Sequence, residues 1–408
     1  MFCGGITPGG IAFNNMAEIN LKRNIMVSGG FRIVNMIIIL LTSWLSTRYL
    51  GVELKGQYSY LVTLVGFIWI VLDMGIHKTY PYLLRTDPDC QAGLFTWTYI
   101  LFALQIVVVG VLGSVLLPFV SNLIAYQFSI RVWWIFVCLI AFYQLSAHLQ
   151  MYYLGLDRVS SNSLLQVVYQ FILFILVGIA LLSGWFPNRL NFFLLAIVIS
   201  SLIIDSIYSI PFFKFFSFKS ISIPFMWKSY KMGIRVFFST LFITLLLRAD
   251  VVILKKLSGF SSVGIYSLAA HIVDMLQIAS NLVGSLLLVK LADTKDDVVR
   301  WVLMKRLFIL FFFFISIMNL GFLFFGKLFI QLVYGSSFSG SYYAYLWLIP
   351  ASFGLSFGSL FNTYLWSRGF PLISVFIPLV TLLVNIGLNF ILIPSMDIAG
   401  AALASSIA

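Results

Sequence analysis

Residues 28–47 read SGGFRIVNMIIILLTSWLST. The stretch holds one charge, Arg32, and no proline. A helix of about 20 residues rises ~30 Å at 1.5 Å per residue, the thickness of a bilayer's hydrocarbon core. Lys22-Arg23 stand before it. The run is too long for the apolar part of a cleavable signal and lacks a small-residue cleavage site, so it reads as a spanning helix that stays in the membrane.

The rest of the chain repeats this pattern. Of 408 residues 61% are hydrophobic and 9% charged, with a mean hydropathy of +1.05. Soluble domains carry roughly 25% charged residues. A soluble enzyme, a disordered chain and a secreted disulfide scaffold are thereby excluded, and an all-α polytopic membrane protein is expected. Cys3, Cys90 and Cys138 have no CxxC spacing, and neither a disulfide framework nor a metal site is expected. Residues 1–15 are unlike the rest, and Met16 is a plausible alternative start.

Apolar runs separated by Gly, Pro and charge place spans at 28–47, 57–76, 93–118, 132–154, 162–183, 190–213, 234–254, 263–289, 307–333, 342–366 and 371–393. A twelfth begins at Ile398 and is expected to be incomplete at Ala408. The expected organisation is a cytoplasmic segment 1–27, a six-helix lobe 28–213, a basic cytoplasmic linker 214–233 and a second lobe 234–408. One set of loops holds 15 Lys and Arg, the other 7, and three of the 25 fall inside helices. The richer side is assigned to the cytoplasm, which puts the N-terminus inside. The net charge of +12 is explained by these flanking positions, so no nucleic-acid partner is expected. The linker mixes Phe and Trp with Lys, as an interfacial segment does, although a plain connecting loop has the same composition.

The halves repeat. Leu50-Gly51 followed by Gly56-Gln57-Tyr58-Ser59 returns as Leu257-Ser258 followed by Gly264-Ile265-Tyr266-Ser267, and Tyr153-Leu154 with Asp157-Arg158 returns as Tyr364-Leu365 with Ser367-Arg368. The offsets, 208 and 211, suggest a duplicated six-helix unit. Six crossings return the chain to the same side, so the halves are parallel repeats.

These words, with Arg248-Ala249-Asp250 and the closing Gly400-Ala401-Ala402-Leu403-Ala404, resemble the polysaccharide-transporter family, the Wzx-type O-antigen flippases. The resemblance covers about residues 20–408. It implies the fold shared with lipid II flippases and multidrug exporters: about twelve helices in two six-helix lobes around a central cavity. It also implies a lipid-linked oligosaccharide as substrate, with polysaccharide polymerase and chain-length proteins as partners.

Charged residues inside a membrane usually face a cavity or a partner. On the first helix Ser28, Arg32, Asn35, Thr42 and Ser46 fall within about 80° of one another, which fits a wet cavity or a helix–helix contact. On the eighth, Ser267, His271, Asp274, Gln277, Asn281 and Ser285 fall within about 120°. This face lines a cavity or forms a buried network in which His271 and Asp274, three residues apart, pair. On the seventh, Arg235 and Asp250 share a side, while Arg248 points away and either snorkels or turns inward. The candidate cavity residues are therefore Arg32, Asn35, Arg235, Asp250, His271, Asp274, Gln277 and Asn281. Asp73, His77 and Tyr80 share a face near one membrane surface, and Asp205 with Ser201 and Tyr208 reads as an internal hydrogen-bonded group.

No catalytic arrangement and no Walker A loop is present, so ATP is not the direct energy source, and no cofactor is expected. Polymerases and ligases of similar composition tend to carry a large outer loop; the loops here are short. The expected function is translocation of a polyprenyl-diphosphate-linked oligosaccharide to the outer leaflet, with Arg as a bidentate phosphate ligand. A multidrug exporter of the same fold is the alternative. The residues leave open whether a proton or sodium drives the cycle.

Overall fold

The computed structural model describes residues 8–124, 126–183, 188–293, 296–366 and 373–408, with side chains from Val27 onward except at scattered positions that include Arg235 and 281–293. Among the described residues there is no strand. The α-helices are α1 (Pro8–Asp73), α2 (Tyr80–Thr86), α3 (Gln91–Gln105), α4 (Gly113–Val115), α5 (Leu117–Ile124), α6 (Ile130–Gly155), α7 (Val159–Ser183), α8 (Arg189–Ser209), α9 (Ile223–Asp293), α10 (Asp297–Val333), α11 (Gly340–Trp366), α12 (Ile373–Met396) and α13 (Ile398–Ile407).

Nine of the described helical stretches are long and apolar enough to cross a membrane. Two are double. Val27–Asp73 has 47 residues and Val236–Gln277 has 42, each about twice what one crossing needs. The break in α1 is Gly51 (φ 73°, ψ 179°), and the break in α9 is Gly259 (φ 87°, ψ −177°). Only glycine adopts these angles readily. The two breaks lie 208 residues apart, the offset of the Gly-Tyr-Ser elements. The described residues thus make eleven crossings before α13.

Each Gly-Tyr-Ser element opens the helix after its break, and there the two halves cross. A Cβ on Gly56 would overlap the Phe260 carbonyl, and one on Gly264 would overlap the Val52 carbonyl. Backbone packs on backbone, as membrane helices do where small residues meet. Tyr60 and Phe260 meet edge to face across this crossing, 5.8 Å apart, and Lys255 Nζ lies over both rings at 5.4 and 5.3 Å. Beside it Arg48 reaches the last turn of α10. Its Nε donates to the Val333 carbonyl at 2.7 Å and its Nη2 to the Leu332 carbonyl at 2.5 Å. A cation is well placed there, because the final carbonyls of a helix lack backbone donors and carry partial negative charge.

The opposite end, where the 214–233 linker runs, has a second close approach. A Cβ on Gly75 (φ 76°) would overlap the Gly233 carbonyl, and the Ser229 hydroxyl lies 2.7 Å from Thr79 Oγ1. One core cluster runs through both lobes, from Tyr60, Leu61 and Val65 of α1 to Val251, Leu254 and Tyr266 of α9. Outward-facing residues are apolar instead of polar, Leu182 at 89% and Phe324 at 70% exposure among them, as a lipid-facing surface requires.

Two expected spans differ in detail. The run 93–118 is interrupted by a π-helical turn, Ile106–Leu112, where Trp133 and Trp134 pack against Gly110 and Gly113 and Trp133 Nε1 donates to the Gly110 carbonyl. The run expected at 307–333 starts earlier, because Asp296 caps α10 by accepting from Val298 N at 2.8 Å.

Gly264→Ala is expected to destabilise the protein by about 1–3 kcal/mol, the usual cost of overpacking. Gly66→Ala, where nothing lies within 4 Å of the added methyl, is expected to be near neutral. Thermal unfolding followed by size-exclusion fluorescence compares them; equal midpoints would remove the crossing from its structural role.

Candidate functional site

Asp250 lies nine residues before the break at Gly259 and is 3% exposed. Its Oδ1 accepts from Val251 N at 2.7 Å, and its Oδ2 accepts from the Tyr266 hydroxyl and, at 3.3 Å, from Ser405 Oγ. Tyr266 belongs to the second Gly-Tyr-Ser element, so the repeat motif itself supplies a donor to this carboxylate. Asn385 extends the group by donating to Ser405 Oγ at 3.3 Å, and Asn389 donates to Asn385 Oδ1 at 2.9 Å. Three donors satisfy a buried carboxylate that would otherwise be costly.

Beside it, Arg248 Nη2 donates to Asp274 Oδ2 at 2.7 Å. The pair joins the two arms of α9 across Gly259. Its side chains are 36% and 24% exposed, so the pair sits in a wall and not in a sealed core. That wall belongs to a cavity of about 740 Å3 inside the second lobe, bounded by both arms of α9 and by α11, α12 and α13. Arg248, Asp250, Asp274, Gln277, Asn362 and Asn385 are its hydrogen-bonding walls, and Leu246, Leu348 and Pro378 are among its apolar ones. Such a surface offers one cationic fork, two carboxylates and several amides, which suits a polar or zwitterionic group better than a hydrocarbon.

Basic groups also gather where the lobes face each other. Lys55 stands one residue before Gly56, is 8% exposed, and has its Nζ 5.2 Å from the centre of the Tyr58 ring. It lies within electrostatic range of His271 on the other lobe, and His271 Nε2 is buried without a hydrogen-bond partner among the described residues. Arg248 in turn acts electrostatically on Tyr58 and Tyr143 of the first lobe. Lys55 and Arg248 therefore place a cation on each side of a seam that also holds His271 and two tyrosines. Among the described residues no group of His, Cys, Asp and Glu is arranged to hold a metal ion.

The sequence-derived candidates divide accordingly. Asp250, Asp274 and Gln277 line the cavity together. His271 stands apart, within electrostatic range of Lys55. The expected His271–Asp274 pair does not form: Asp274 takes Arg248, whose longer side chain reaches it across the break in α9. Arg248 correspondingly turns inward and does not snorkel. Arg32 and Asn35 are half-buried and are not among the lining residues, and Asn35 Oδ1 is buried without a partner among the described residues. Along the same face Ser28, Thr42 and Ser46 are buried, and Thr42 and Ser46 donate to the carbonyls of Ile38 and Ser43 on their own helix, as packed hydroxyls do. The side chains of Arg235 and Asn281 lie outside the described residues. Asp205 accepts from Ser146 Oγ at 2.8 and 2.9 Å, not from Tyr208, whose hydroxyl donates to Asn162 Oδ1 at 2.7 Å. Lys55 escaped notice in the sequence because it counts there as a loop charge. Its place directly before Gly56 was the available signal.

A family described as polysaccharide biosynthesis protein matches residues 21–289. The chain belongs to that family. No curated protein matches it. Among solved structures this chain is similar to a lipid II flippase, MurJ, in an inward closed conformation. The TM-score is 0.75 at 14% identity, over 94% of this chain and 84% of that one. It is also similar to a Vibrio cholerae MATE transporter, with TM-score 0.67 at 13% identity over 95% and 93% of the two chains. An inward-facing multidrug resistance MATE transporter follows, with TM-score 0.65 at 12% identity over 92% and 94%. These likenesses establish the fold: a multi-pass protein of two six-helix lobes.

Arg248→Gln is expected to lower stability by about 1–2 kcal/mol, because it leaves the half-buried Asp274 carboxylate without its partner. Adding Asp274→Asn to it should restore part of the loss. A double-mutant cycle of thermal midpoints tests this, and strictly additive losses would show that the pair does not couple.

Proposed function

We propose that this protein moves a polyprenyl-diphosphate-linked oligosaccharide, an O-antigen or capsule repeat unit, from the cytoplasmic to the periplasmic leaflet of the inner membrane. The observation that carries the reading is the pair of cations Lys55 and Arg248, contributed one by each lobe, with Tyr58 and Tyr143 within their reach and His271 in electrostatic range of Lys55. A diphosphate cannot cross hydrocarbon without shedding hydration at high cost. A basic path replaces that hydration, and tyrosine rings pack against sugar faces while their hydroxyls hydrogen-bond. Family membership and a flippase among the similar structures support the same reading. The polyprenyl tail stays in lipid while the lobes rock about their crossing. Arg32 and Arg235, near the cytoplasmic mouth in this orientation, receive the diphosphate in the inward-open state.

A second reading has its own observation. In the cavity of the second lobe two carboxylates, Asp250 and Asp274, stand against one Arg248. That balance favours a cationic guest and hence export of small cationic molecules. Efflux of a cationic dye from cells expressing the protein, lost in Asp250→Asn, would favour this reading over the first.

Complementation of a flippase-deficient strain, with membrane levels checked by blot, tests the main proposal. Arg32→Ala and Lys55→Ala are each expected to reduce surface polysaccharide at least tenfold. Arg32→Lys should recover only part, because lysine lacks the bidentate fork. Full activity of both alanine variants at normal expression would defeat the proposal. For orientation, cysteines at Arg189 and Lys327 should react with an impermeant thiol reagent from outside, and those at Arg158 and Lys219 should not. Lys55, buried at the seam, is unsuitable for such labelling.

A further inference from the structure

The linker between the lobes packs one side on the first lobe and leaves the other uncovered among the described residues. It leaves α8 as a short 3-10 helix, Ile210–Phe215, forms a second, Phe218–Ser220, and enters α9 at Ile223. Phe212 and Met226 are buried in the core of the first lobe with Phe95 and Tyr152. The Ser217 amide donates to Thr96 Oγ1 at 3.0 Å, and a Cβ on Gly93 would overlap the Ser220 carbonyl. These contacts fix the linker backbone against the start of α3.

The first three turns of α9 show the division most clearly. At ~100° per residue, Met226, Ser229 and Gly233 fall within about 60° of one another. That side faces the first lobe, where Ser229 meets Thr79 and Gly233 meets Gly75. Ile223, Trp227 and Lys231 fall within about 80° on another side. They are exposed, Ile223 at 79% and Trp227 at 61%. This stretch precedes the apolar span, which starts at Val236. Phe213, Phe216 and Phe218 just before it are exposed as well.

A surface that faces water would be polar here, and one that faces hydrocarbon would not carry exposed Lys214, Lys219 and Lys231 among these rings. Two of the lysines lie against rings. Lys214 Nζ is 5.0 Å from the centre of the Phe215 ring, and Lys231 Nζ is 5.7 Å from that of Trp227. Apolar rings with cations beside them suit the headgroup level of a bilayer, where the ring enters lipid and the charge meets phosphate.

Charge decides which headgroup. Residues 206–249 contain six Lys and Arg and no Asp or Glu. Arg158, from the turn between α6 and α7, adds a cation 5.0 Å from the centre of the Phe212 ring. The acids at this end stand on other turns. Asp157 is taken by Arg85 at 2.6 Å, and Asp87 and Asp89 lie between α2 and α3. A zwitterionic headgroup brings its own cation to such a surface, whereas an anionic one brings net negative charge.

We propose that residues 210–231 are a docking surface for the anionic phospholipid headgroups of the bilayer leaflet at the linker end. The rings seat in the interface, and Lys214, Lys219 and Lys231 hold the phosphates. Because this segment is the covalent joint between the lobes, bound lipid keeps the joint at the membrane surface. Docking is read without substrate, so it stands or falls apart from the transport reading.

The full chain, with Cys3, Cys90 and Cys138 replaced by Ser, is spin-labelled at Ile223→Cys and placed in nanodiscs of phosphatidylcholine, alone or with phosphatidylglycerol. Collision with oxygen, which concentrates in lipid, and with a neutral nickel chelate, which stays in water, reports the depth of the label. Phosphatidylglycerol is expected to raise the ratio of membrane-seated to water-exposed label severalfold, and added salt to lower it again. Lys214→Gln, Lys219→Gln and Lys231→Gln should each lower the ratio by about fivefold in the anionic discs. These lysines are exposed, so the variants keep the core contacts, and thermal midpoints confirm that they fold. A label that stays in water in both kinds of disc overturns the proposal. So does one seated equally in both, which makes the contact apolar only, or a lipid response that survives in the triple Gln variant. An equal response from a label at Asp89→Cys, exposed at the same end, overturns it too.

Discussion

Everything in this structure leans on the place where Gly56 and Gly264 bring two backbones together. A membrane interior offers no hydrophobic drive to push helices against one another, since lipid is as apolar as leucine. Cohesion must come from close contact and from polar groups satisfied across helices. The crossing supplies the first, because neither position leaves room for a Cβ. It also sets the second. With the backbones fixed there, Lys55 comes within electrostatic range of His271, Tyr60 meets Phe260, and Arg48 reaches the end of α10. A transporter that rocks about this point keeps one contact nearly fixed while the groups on either side exchange partners.

Much of this architecture is legible in the sequence, for a physical reason. Hydrocarbon thickness fixes the length of an apolar run, so spans are read directly, and a duplicated unit leaves matching words at one offset. The words Gly56-Gln57-Tyr58-Ser59 and Gly264-Ile265-Tyr266-Ser267 proved to mark the crossing itself, with the two broken glycines at the same offset. Helical rotation also placed Asp250, Asp274 and Gln277 around one cavity.

Side-chain pairing was far less legible. Asp274 has a histidine one turn before it and takes an arginine 26 residues away instead. Angular counting along one arm of α9 says nothing of the other, and the sequence therefore left open that Arg248 turns inward, where its long side chain reaches Asp274 across the break at Gly259. Lys55 was masked by the opposite error: position in a nominal loop suggested solvent, whereas the helix after Gly51 had already begun. Likewise Asp73, His77 and Tyr80 share a face in sequence, but the partner that completes them, His148, lies 75 residues on in α6. Polar groups inside a membrane find their partners through tertiary contact, and local spacing records only half of each pair.

The bond from Arg48 to α10 ends on the main-chain oxygens of Leu332 and Val333 and touches no side chain there. Carbonyl oxygens are present whatever residues occupy those two positions. The far ends of the lobes are thus tied by an attachment that only one partner can lose by substitution. The tip of α10 is free to drift in sequence, to meet a different surface or a thicker bilayer, while the tie persists. Position 48 has less freedom, because only a long side chain with a donor at its end can reach those carbonyls.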